Sequence, residues 1–533
     1  MDCIATRIPY RQTNAFSNII LEYLDHAEKL KPFYANAPTL QGLQKAIEVR
    51  KQFNTNRKVL VDVLKKQYEG VATSDKVKQN IDSLLAENTF TITTAHQNNI
   101  FTGPLYFIYK IIHAIRLADH LEESLPGNQF VPVYYMGTED ADLDELNHIW
   151  LQGEKMVWGT KQTGAVGRMK VDKELLKLIS GIEGQLSVLP KGAEIIALIK
   201  QCYSEGSTIE QATFHFVNAL LGEYGLVILL PDNADLKREM IPVFEDDLIN
   251  QTASSIVESS AAKLDEAGYK VQANPREINL FYLRDGVRER IVSKKSNFNI
   301  LGTQLSFTKE EFLQHLKDHP ERVSPNVILR GLYQETILPN IAFIGGGGET
   351  AYWLQLKDLF EHYKVPFPVL VLRNSFLLIE KKWQEKMDKL EFSIEDLFLS
   401  EQELLNKLVL RETAKQLRLN GTLTETAELY DSIKKLASEV DTTLEKHVEA
   451  LKLQSIHRLQ ELEKKMLRAE KRKFTDQQRQ IHGLKEKLFP RNGLQERIDN
   501  FLPYYAQWGS AFIQSLYKHS LKVEQEFVVI QET

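Results

Sequence analysis

The sequence has very little cysteine, no long hydrophobic run and no strong excess of charge. Its 533 residues include only two cysteines, Cys3 and Cys202, so we expect neither a disulfide framework nor a cysteine-rich zinc site. No apolar run approaches the roughly 20 residues of a membrane-spanning helix. The N-terminal MDCIATRIPYRQT also lacks the apolar core of a signal peptide. We therefore expect a cytoplasmic protein without membrane association.

The composition is that of an ordinary globular protein. The net charge of −6 gives no general attraction to nucleic acid. A hydrophobic content of 43% with 26% charged residues is typical of soluble domains. The chain is long enough for two or three domains.

Short apolar runs alternate with helical patterns in the first two thirds of the chain, after a helical N-terminal stretch. The runs cover residues 91–94, 131–135, 226–230, 341–344 and 369–372. This alternation is typical of an α/β fold with a doubly wound, mostly parallel sheet. Segments at about 151–200 and 270–325 interrupt the pattern and are predicted to be insertions. The second contains Asp285-Gly286 between alternating apolar residues, which predicts a hairpin with a type I′ turn.

Glycine and proline become scarce between about 380 and 488, where Lys, Glu, Leu and Gln dominate. Apolar residues spaced by three or four predict the seam of one long helix: Leu429, Ile433, Leu436, Val440, Leu444, Val448 and Leu451. The helix either forms a coiled coil between subunits or folds back on its own domain. We therefore divide the chain into a core (1–379), a helical coiled-coil domain (380–488) and a C-terminal segment packing back on the core (489–533).

Residues 90–110, FTITTAHQNNIFTGPLYFIYK, contain the most informative candidate site. A β-rich run ends at His96, Gln97 and Asn98, and Thr102-Gly103-Pro104 then precede a helical pattern. Ligands of open α/β sheets bind at the carboxyl ends of the strands. These side chains therefore either bind and transfer protons there, or satisfy backbone groups of the loop.

Acidic residues follow the next run, in GTEDADLDE. Asp144 and Glu145 suit the start of a helix. Glu139, Asp140 and Asp142 lie nearer the strand end and are candidates for binding an amine or, with His148, a metal. Their spacing matches no strong metal motif.

Four glycines, Gly345 to Gly348, follow the fourth run and precede Glu349 and Tyr352. Glycine lets backbone N–H groups approach an anion, so this loop either holds a carboxylate or phosphate or is a tight turn without a ligand. Arg330 and Arg373 each end an apolar run. We expect both at strand ends, where they either clamp a carboxylate or form structural ion pairs.

Five segments together resemble a known family. They are AHQNNIFTGPLYFIYK, PVYYMGTEDADLDELNH, SPNVILRGLYQETILPNIAFIGGGGETAYWLQL, PFPVLVLRNSF and LFPRNGLQERIDNFLPYY. In this order they closely resemble the cysteine-adding enzyme, or cysteine ligase, of bacillithiol biosynthesis, over nearly the whole chain. The resemblance implies a Rossmann-like core with inserted connecting segments and a coiled-coil arm that forms a homodimer.

The resemblance also implies an activity and two pockets. The reaction joins cysteine to the sugar amine of glucosaminyl-malate and gives bacillithiol. The implied core pocket contains His96, Gln97, Asn98, Gly103, Thr138, Glu139, Asp140, Gly345, Gly346, Gly347, Gly348 and Glu349. We also expect substrate contacts from Thr102, Tyr106, Asp142, Tyr352 and Arg373. A second pocket for an adenine nucleotide, ATP or ADP, is implied near Trp383, Arg491, Asn492 and Tyr505.

The chemistry of amide formation predicts a role for several of these residues. Amide formation needs an activated carboxyl group and a deprotonated amine held beside it. We expect Glu139 or Asp140 to hold the amine, His96 to move protons or contact phosphate, and the glycine amides with Arg373 to hold malate carboxylates or a phosphate. Two alternatives stay open: a nucleotidyl- or glycosyl-transferase on the same core, and a coiled-coil scaffold that only binds a metabolite.

Overall fold

A computed structural model describes residues 2–294, 297–413 and 417–533. The chain forms two compact units. The first comprises the residues up to Leu378 together with Gly493–Gln531, and the second comprises Ile379–Asn492. The second unit thus ends at Asn492 rather than at 488.

In chain order the strands of the described residues are β1 (Cys3–Pro9), β2 (Thr89–Gln97), β3 (Gln129–Gly137), β4 (His148–Leu151), β5 (Glu154–Val157), β6 (Val227–Leu229), β7 (Leu280–Arg284), β8 (Val287–Lys294), β9 (Asn297–Ile300), β10 (Ser306–Thr308), β11 (Val323–Pro325), β12 (Asn340–Gly345), β13 (Val369–Leu372), β14 (Ser375–Ile379) and β15 (Glu526–Glu532).

The helices of the first unit up to Leu378 are α1 (Asn18–Leu24), α2 (Leu40–Arg50), α3 (Arg57–Gln67), α4 (Asp75–Ser83), α5 (Tyr106–Ser124), α6 (Leu143–Leu146), α7 (Lys173–Leu186), α8 (Gly192–Cys202), α9 (Ile209–Leu221), α10 (Ala234–Arg238), α11 (Ile241–Ile249), α12 (Thr252–Glu266), α13 (Lys309–Asp318), α14 (Val327–Ile337), α15 (Gly347–Trp353) and α16 (Lys357–His362). The helices that follow are α17 (Lys381–Lys389), α18 (Glu401–Glu412), α19 (Asn420–Val440), α20 (Leu444–Lys471), α21 (Thr475–Leu488), α22 (Gln495–Ile498), α23 (Leu502–Trp508) and α24 (Ser510–His519).

The central sheet has the strand order β13-β12-β2-β3-β6, and all its neighbours are parallel. The five apolar runs are its five strands, so the prediction of a parallel, Rossmann-like sheet is confirmed. Strand β2 shows why these residues form a central strand: it is rich in β-branched threonine and isoleucine and is buried from Thr89 through Ala95. Helix α5 covers the sheet with residues such as Ala114 and Leu117, which pack with Phe90 of β2 in the core.

The insertion near 270–325 carries an antiparallel sheet of order β10-β9-β8-β7-β11. Strands β7 and β8 form the predicted hairpin, with Arg284 opposite Val287. Of the two turn residues only Gly286 has a positive φ, +71°. The type I′ prediction is therefore wrong, because that turn needs a positive φ at both positions.

The second unit contains an antiparallel helix pair, α19 and α20. Tyr430 bonds to Ser455 at 2.7 Å and Ser438 donates to Glu445 at 2.6 Å, so the two helices run in opposite directions. The prediction of one continuous helical seam is wrong, because α19 ends at Val440 before α20 begins. Residues 414–416, which precede α19, lie outside the described part of the chain.

None of the helices in the described ranges combines the length and the apolarity that crossing a bilayer requires.

Candidate active site

A cavity of about 410 Å³ lies at the carboxyl ends of the central strands. All five strands supply lining residues, either from the strand itself or from the loop after it. These are Ala95, His96 and Gln97 for β2, Gly137, Glu139 and Asp140 for β3, Pro231 for β6, Gly346, Gly347, Gly348 and Glu349 for β12, and Arg373 for β13. Separate segments of the sequence thus meet around one space, as ligand sites of open α/β sheets do.

His96 lies at the centre of this arrangement. Its ring packs 5.3 Å from the rings of Tyr106 and Phe107, and its buried Nε2 has no hydrogen-bond partner among the described residues. Burial, together with the charges of nearby Lys110 and two arginines, holds the pKa of His96 well below its usual value. The imidazole is therefore neutral near pH 7, and its buried Nε2 keeps an unused hydrogen-bonding capacity in the described ranges. This state suits proton transfer better than a cationic contact with phosphate.

The acidic side of the cavity is already partly neutralised. Glu139 forms an ion pair with the fully buried Lys237 of α10, which also contacts Asp232 at 3.0 Å. Although burial opposes the charge, these two carboxylates raise the pKa of Lys237. Asp140 instead accepts a hydrogen bond from Gln97 Nε2 at 2.9 Å. Asp140 also accepts a hydrogen bond from the Asp142 amide at 3.1 Å, but within the described ranges it has no Lys or Arg nitrogen within 4.0 Å, whereas Glu139 is paired with Lys237.

The glycine loop is held by its own glutamate. Gly346 N donates to Glu349 Oε2 at 2.8 Å, and Lys110 Nζ donates to the same oxygen at 2.6 Å. Lys110 also donates to the carbonyl of Ala95 at 2.5 Å and is buried. One predicted anion-binding amide is therefore occupied, while Gly347 and Gly348 remain at the cavity wall.

Arg330 and Arg288 line the cavity and carry charge without an ion pair in the described ranges. Arg330 donates to the Tyr352 hydroxyl at 2.5 Å, and Arg288 of β8 lies 4.0 Å from the centre of the Phe281 ring. Within the described ranges, neither guanidinium has a carboxylate within 4.0 Å. Arg330 lies in helix α14 and not at a strand end, contrary to the prediction.

Arg373 differs from these two arginines. Its Nη2 lies 2.7 Å from Glu496 Oε1, and both side chains are buried. The structural ion pair expected as one alternative is therefore present. The guanidinium still borders the cavity, 5.0 Å from the centre of the Tyr106 ring.

Six predicted site residues do not line the cavity: Asn98, Thr102, Gly103, Thr138, Asp142 and Gly345. Asn98 and Thr102 are completely buried, and Thr138 is covered by Gly167, whose amide donates to the Thr138 carbonyl. The Gly103 and Gly345 carbonyls accept hydrogen bonds from other segments. Asp142 is exposed at the start of α6.

The residues of the implied nucleotide pocket are divided between the two units. Trp383, Arg491 and Asn492 belong to the second unit and Tyr505 to the first. Across the described ranges, no group of three or more His, Cys, Asp or Glu side chains is arranged to hold a metal ion.

The chain matches two domain models of one known protein family. The model of the N-terminal Rossmann-like domain of bacillithiol biosynthesis BshC matches residues 3–374, and that of its C-terminal coiled-coil domain matches residues 376–532. The chain belongs to the BshC family.

Curated BshC relatives match over nearly the full length. The protein of Flavobacterium johnsoniae is 40% identical over 531 residues, which is 99% of each chain. That of Christiangramia forsetii is 40% identical and covers 98% of each chain, and that of Cytophaga hutchinsonii is 38% identical and covers 96%. All three are named "Putative cysteine ligase BshC".

A solved structure titled "putative arginyl t-RNA synthetase" from Campylobacter jejuni aligns with 85% of this chain and 93% of its own. Its TM-score is 0.20 at 10% identity, which supports no argument.

Several residues that line this BshC cavity, or contact its lining carboxylates, were not predicted from the sequence. Lys110 could have been noticed as the one charged residue in the apolar run YFIYKIIHAI. Arg288 lies in the inserted hairpin, and the sequence pattern of a hairpin does not indicate a cavity wall. Lys237 and Arg497 have no local signal, since only the folded chain brings them to the cavity or to its carboxylates.

Proposed function

We propose that this chain is the ligase that adds cysteine to the sugar amine of glucosaminyl-malate and so forms bacillithiol. The observation that carries the proposal is the single cavity at the strand ends. It combines a neutral histidine with a free ring nitrogen, an acidic side, and arginines without carboxylate partners. The name of the curated relatives supports a ligase, and it lends no support to the transferase or scaffold alternatives.

The malyl group provides two carboxylates, and the cavity provides cations for them. Arg330 and Arg373 border the glycine loop, where Gly347 and Gly348 present their backbone. Arginine binds carboxylates through two parallel N–H donors, which fixes the orientation of the ligand as well as its position. In this proposal the malyl group therefore lies between the arginines and the glycine loop.

The sugar amine lies toward Asp140 and His96. The amine must attack as the neutral nucleophile, and positive charge nearby lowers the pKa of a bound ammonium group. Arg288 lines the cavity on the acidic side and supplies that charge, whereas the charge of Lys237 is neutralised by Glu139 and Asp232. The nitrogen attacks the carbonyl carbon of an activated cysteine, the bond to the activating group breaks, and neutral His96 accepts the proton released from nitrogen.

Thiol analysis of a deletion strain tests this function. Loss of the gene should remove bacillithiol and cause glucosaminyl-malate to accumulate, as measured by mass spectrometry. The wild-type gene should restore bacillithiol, whereas the gene for His96→Ala should restore little. A deletion strain that still contains bacillithiol at normal levels would contradict the proposal.

The proposal includes a cytoplasmic homodimer formed through the helix pair α19 and α20. Several apolar side chains on these helices are exposed in the single chain, including Leu436 at 63% and Val440 at 81%. A second copy that covers them would bury this apolar surface. Sedimentation should give a dimer for the wild type and a monomer for Leu436→Glu with Val440→Lys. A dimer that survives both changes would exclude this interface.

Binding of ATP or ADP to the second unit is also part of the proposal. The indole of Trp383 has a buried N–H without a partner in the described ranges, and Lys386 Nζ lies 4.9 Å from the ring centre. An aromatic face beside a cation suits a base and a phosphate. ADP should therefore quench tryptophan fluorescence in the wild type and not in Trp383→Phe. Equal quenching in both proteins would remove Trp383 from the site.

A further inference from the structure

The C-terminal segment from Gln495 to Asn500 is fastened to the core at both ends. At one end the Gln495 side chain bonds to both backbone groups of Leu378, at 3.0 Å and 3.2 Å. At the other end Asn500 Nδ2 donates to the carbonyls of Phe101 and Gly103, at 2.9 Å and 2.5 Å. The segment between these anchors therefore has a fixed path along the core.

The Asn500 anchor holds a strained turn. Phe101, Thr102 and Gly103 have φ values of 48°, 67° and 62°, and two of these left-handed residues are not glycine. Each non-glycine residue in this region costs roughly 1–2 kcal/mol, so the surrounding contacts must impose the conformation. The turn joins the strand that ends with His96 and Gln97 to helix α5. Asn500 thus influences the position of His96 without touching the cavity itself.

Glu496 fixes a second part of the site. Its carboxylate pairs with Arg373 at 2.7 Å and accepts hydrogen bonds from the Ser375 hydroxyl at 3.1 Å and the Phe376 amide at 3.2 Å. The side chain is completely buried. Such a network leaves Glu496 no capacity for a ligand and sets the direction of Arg373.

Arg497 lies between these anchors and behaves differently. It lines the same cavity and is exposed. In the described ranges, its guanidinium has no carboxylate within 4.0 Å, whereas its neighbour Glu496 has three polar partners, Arg373, Ser375 and Phe376. A charged side chain on a rigid support at a cavity mouth, with no protein partner, is arranged to meet an anionic ligand.

We infer that the C-terminal segment completes the active site. Arg497 contacts the substrate by binding a carboxylate of the malyl group, and Asn500 is a positioning residue for His96. This inference rests on the proposed function, because it takes the anionic group from that substrate. It assigns part of the active site to residues that fall within the match to the coiled-coil domain.

Calorimetry with purified full-length protein tests the role of Arg497. Glucosaminyl-malate should bind to Arg497→Ala about 10- to 100-fold more weakly than to the wild type, which corresponds to loss of one charged hydrogen-bonding pair. Arg497→Lys should recover part of the affinity. Lys518→Ala, which removes an exposed cation of helix α24 that does not line the cavity, should bind like the wild type.

The outcomes separate this inference from the function on which it rests. If the wild type does not bind glucosaminyl-malate, the proposed function is wrong. If the wild type binds it and Arg497→Ala binds it equally tightly, the role of Arg497 is wrong. Because Arg497 is exposed, its substitution should leave the melting temperature unchanged, and this can be measured on the same samples.

The positioning role of Asn500 has a kinetic signature. Asn500→Ser should lower kcat more than tenfold while changing KM less than threefold, because the turn behind His96 shifts and the arginines do not. A variant that is folded and retains the wild-type kcat would overturn this part of the inference. Equal losses in kcat and in the amount of folded protein would also overturn it, since they indicate a structural role alone.

Discussion

Two buried histidines, His96 and His113, lie in regions that differ in one decisive respect. Burial lowers the pKa of both, and that of His113 falls to about 4. His113 has both ring nitrogens satisfied: Nε2 donates to the Lys522 carbonyl at 2.8 Å and Nδ1 accepts from the Asn374 amide at 3.1 Å. His96 has a buried Nε2 without a partner in the described ranges and faces the cavity.

This difference shows that a shifted pKa does not by itself identify a catalytic group. Burial keeps His113 neutral, and its two hydrogen bonds link helix α5 to the backbone at Asn374 and Lys522. His96 is also neutral, but it lines the cavity and its Nε2 has no partner in the described ranges. The unused hydrogen-bonding capacity, rather than the burial, distinguishes the functional histidine.

Substitution of His96 should give the largest effect. We expect His96→Ala to lower kcat/KM for bacillithiol formation by about 100- to 10,000-fold, the range for loss of a proton-transfer group. Its melting temperature should stay close to that of the wild type, because no hydrogen bond of the Nε2 is lost. His113→Gln is the matched control and should retain most activity. Normal turnover by His96→Ala would show that His96, like His113, is not needed for the reaction.

Loss of Arg330 should have a smaller effect, mainly on binding. Arg330→Ala should raise KM for glucosaminyl-malate about 10- to 100-fold while kcat changes less. Tyr352→Phe is the control, because it removes the hydrogen bond to Arg330 and leaves the charge in place. If Tyr352→Phe were as damaging as Arg330→Ala, the arginine would serve to orient Tyr352 rather than to bind the substrate.

The sequence predicted the sheet well because each central strand is a short, almost wholly apolar or β-branched run. Such runs are buried on both faces, so their pattern does not depend on distant contacts. The break at 441–443 was missed because apolar spacing continues across it, and only the contact between α19 and α20 requires a turn there. The apolar periodicity thus predicted that this region is helical, but not that it forms two antiparallel helices.

The candidate site was only partly predictable. Residues at a strand end or directly after one, such as His96 and Gly346, were predicted correctly because the strand end fixes their position. Residues farther along the loops were misplaced: Asn98, one position after β2, turns into the interior, and Asp142, five positions after β3, is exposed to solvent. Lys110 and Arg288 come from a buried helix face and an inserted hairpin, and neither pattern marks a cavity.

The pH dependence of stability tests His113 directly. Between about pH 6.5 and 4 the unfolded chain binds a proton at this residue while the folded chain does not, so stability falls as the pH is lowered through this range. The full contribution is about 3 kcal/mol. His113→Gln should be less stable at pH 7 but should lose less stability between pH 7 and pH 5.

The lowered pKa of His96 gives a contribution of the same sign, so both histidines should contribute to the pH slope and only His96 to activity. Melting temperatures of His113→Gln and His96→Ala, measured at pH 7 and at pH 5, check this. An unchanged slope in His113→Gln would show that its folded-state pKa is close to that of the unfolded chain.

The smallest effect is expected for Asp142→Asn, and it is to be compared with that of Asp140→Asn on the acidic side of the cavity. Asp142→Asn should leave kcat and KM within about twofold of the wild type, since substitutions of exposed residues away from a site rarely matter. Asp140→Asn should lower kcat/KM about tenfold or more, because Asp140 lines the cavity and is oriented by Gln97. The two residues are separated by one position and carry the same charge. A difference between them therefore measures placement alone, and equal effects would mean that the acidic loop acts only through its total charge.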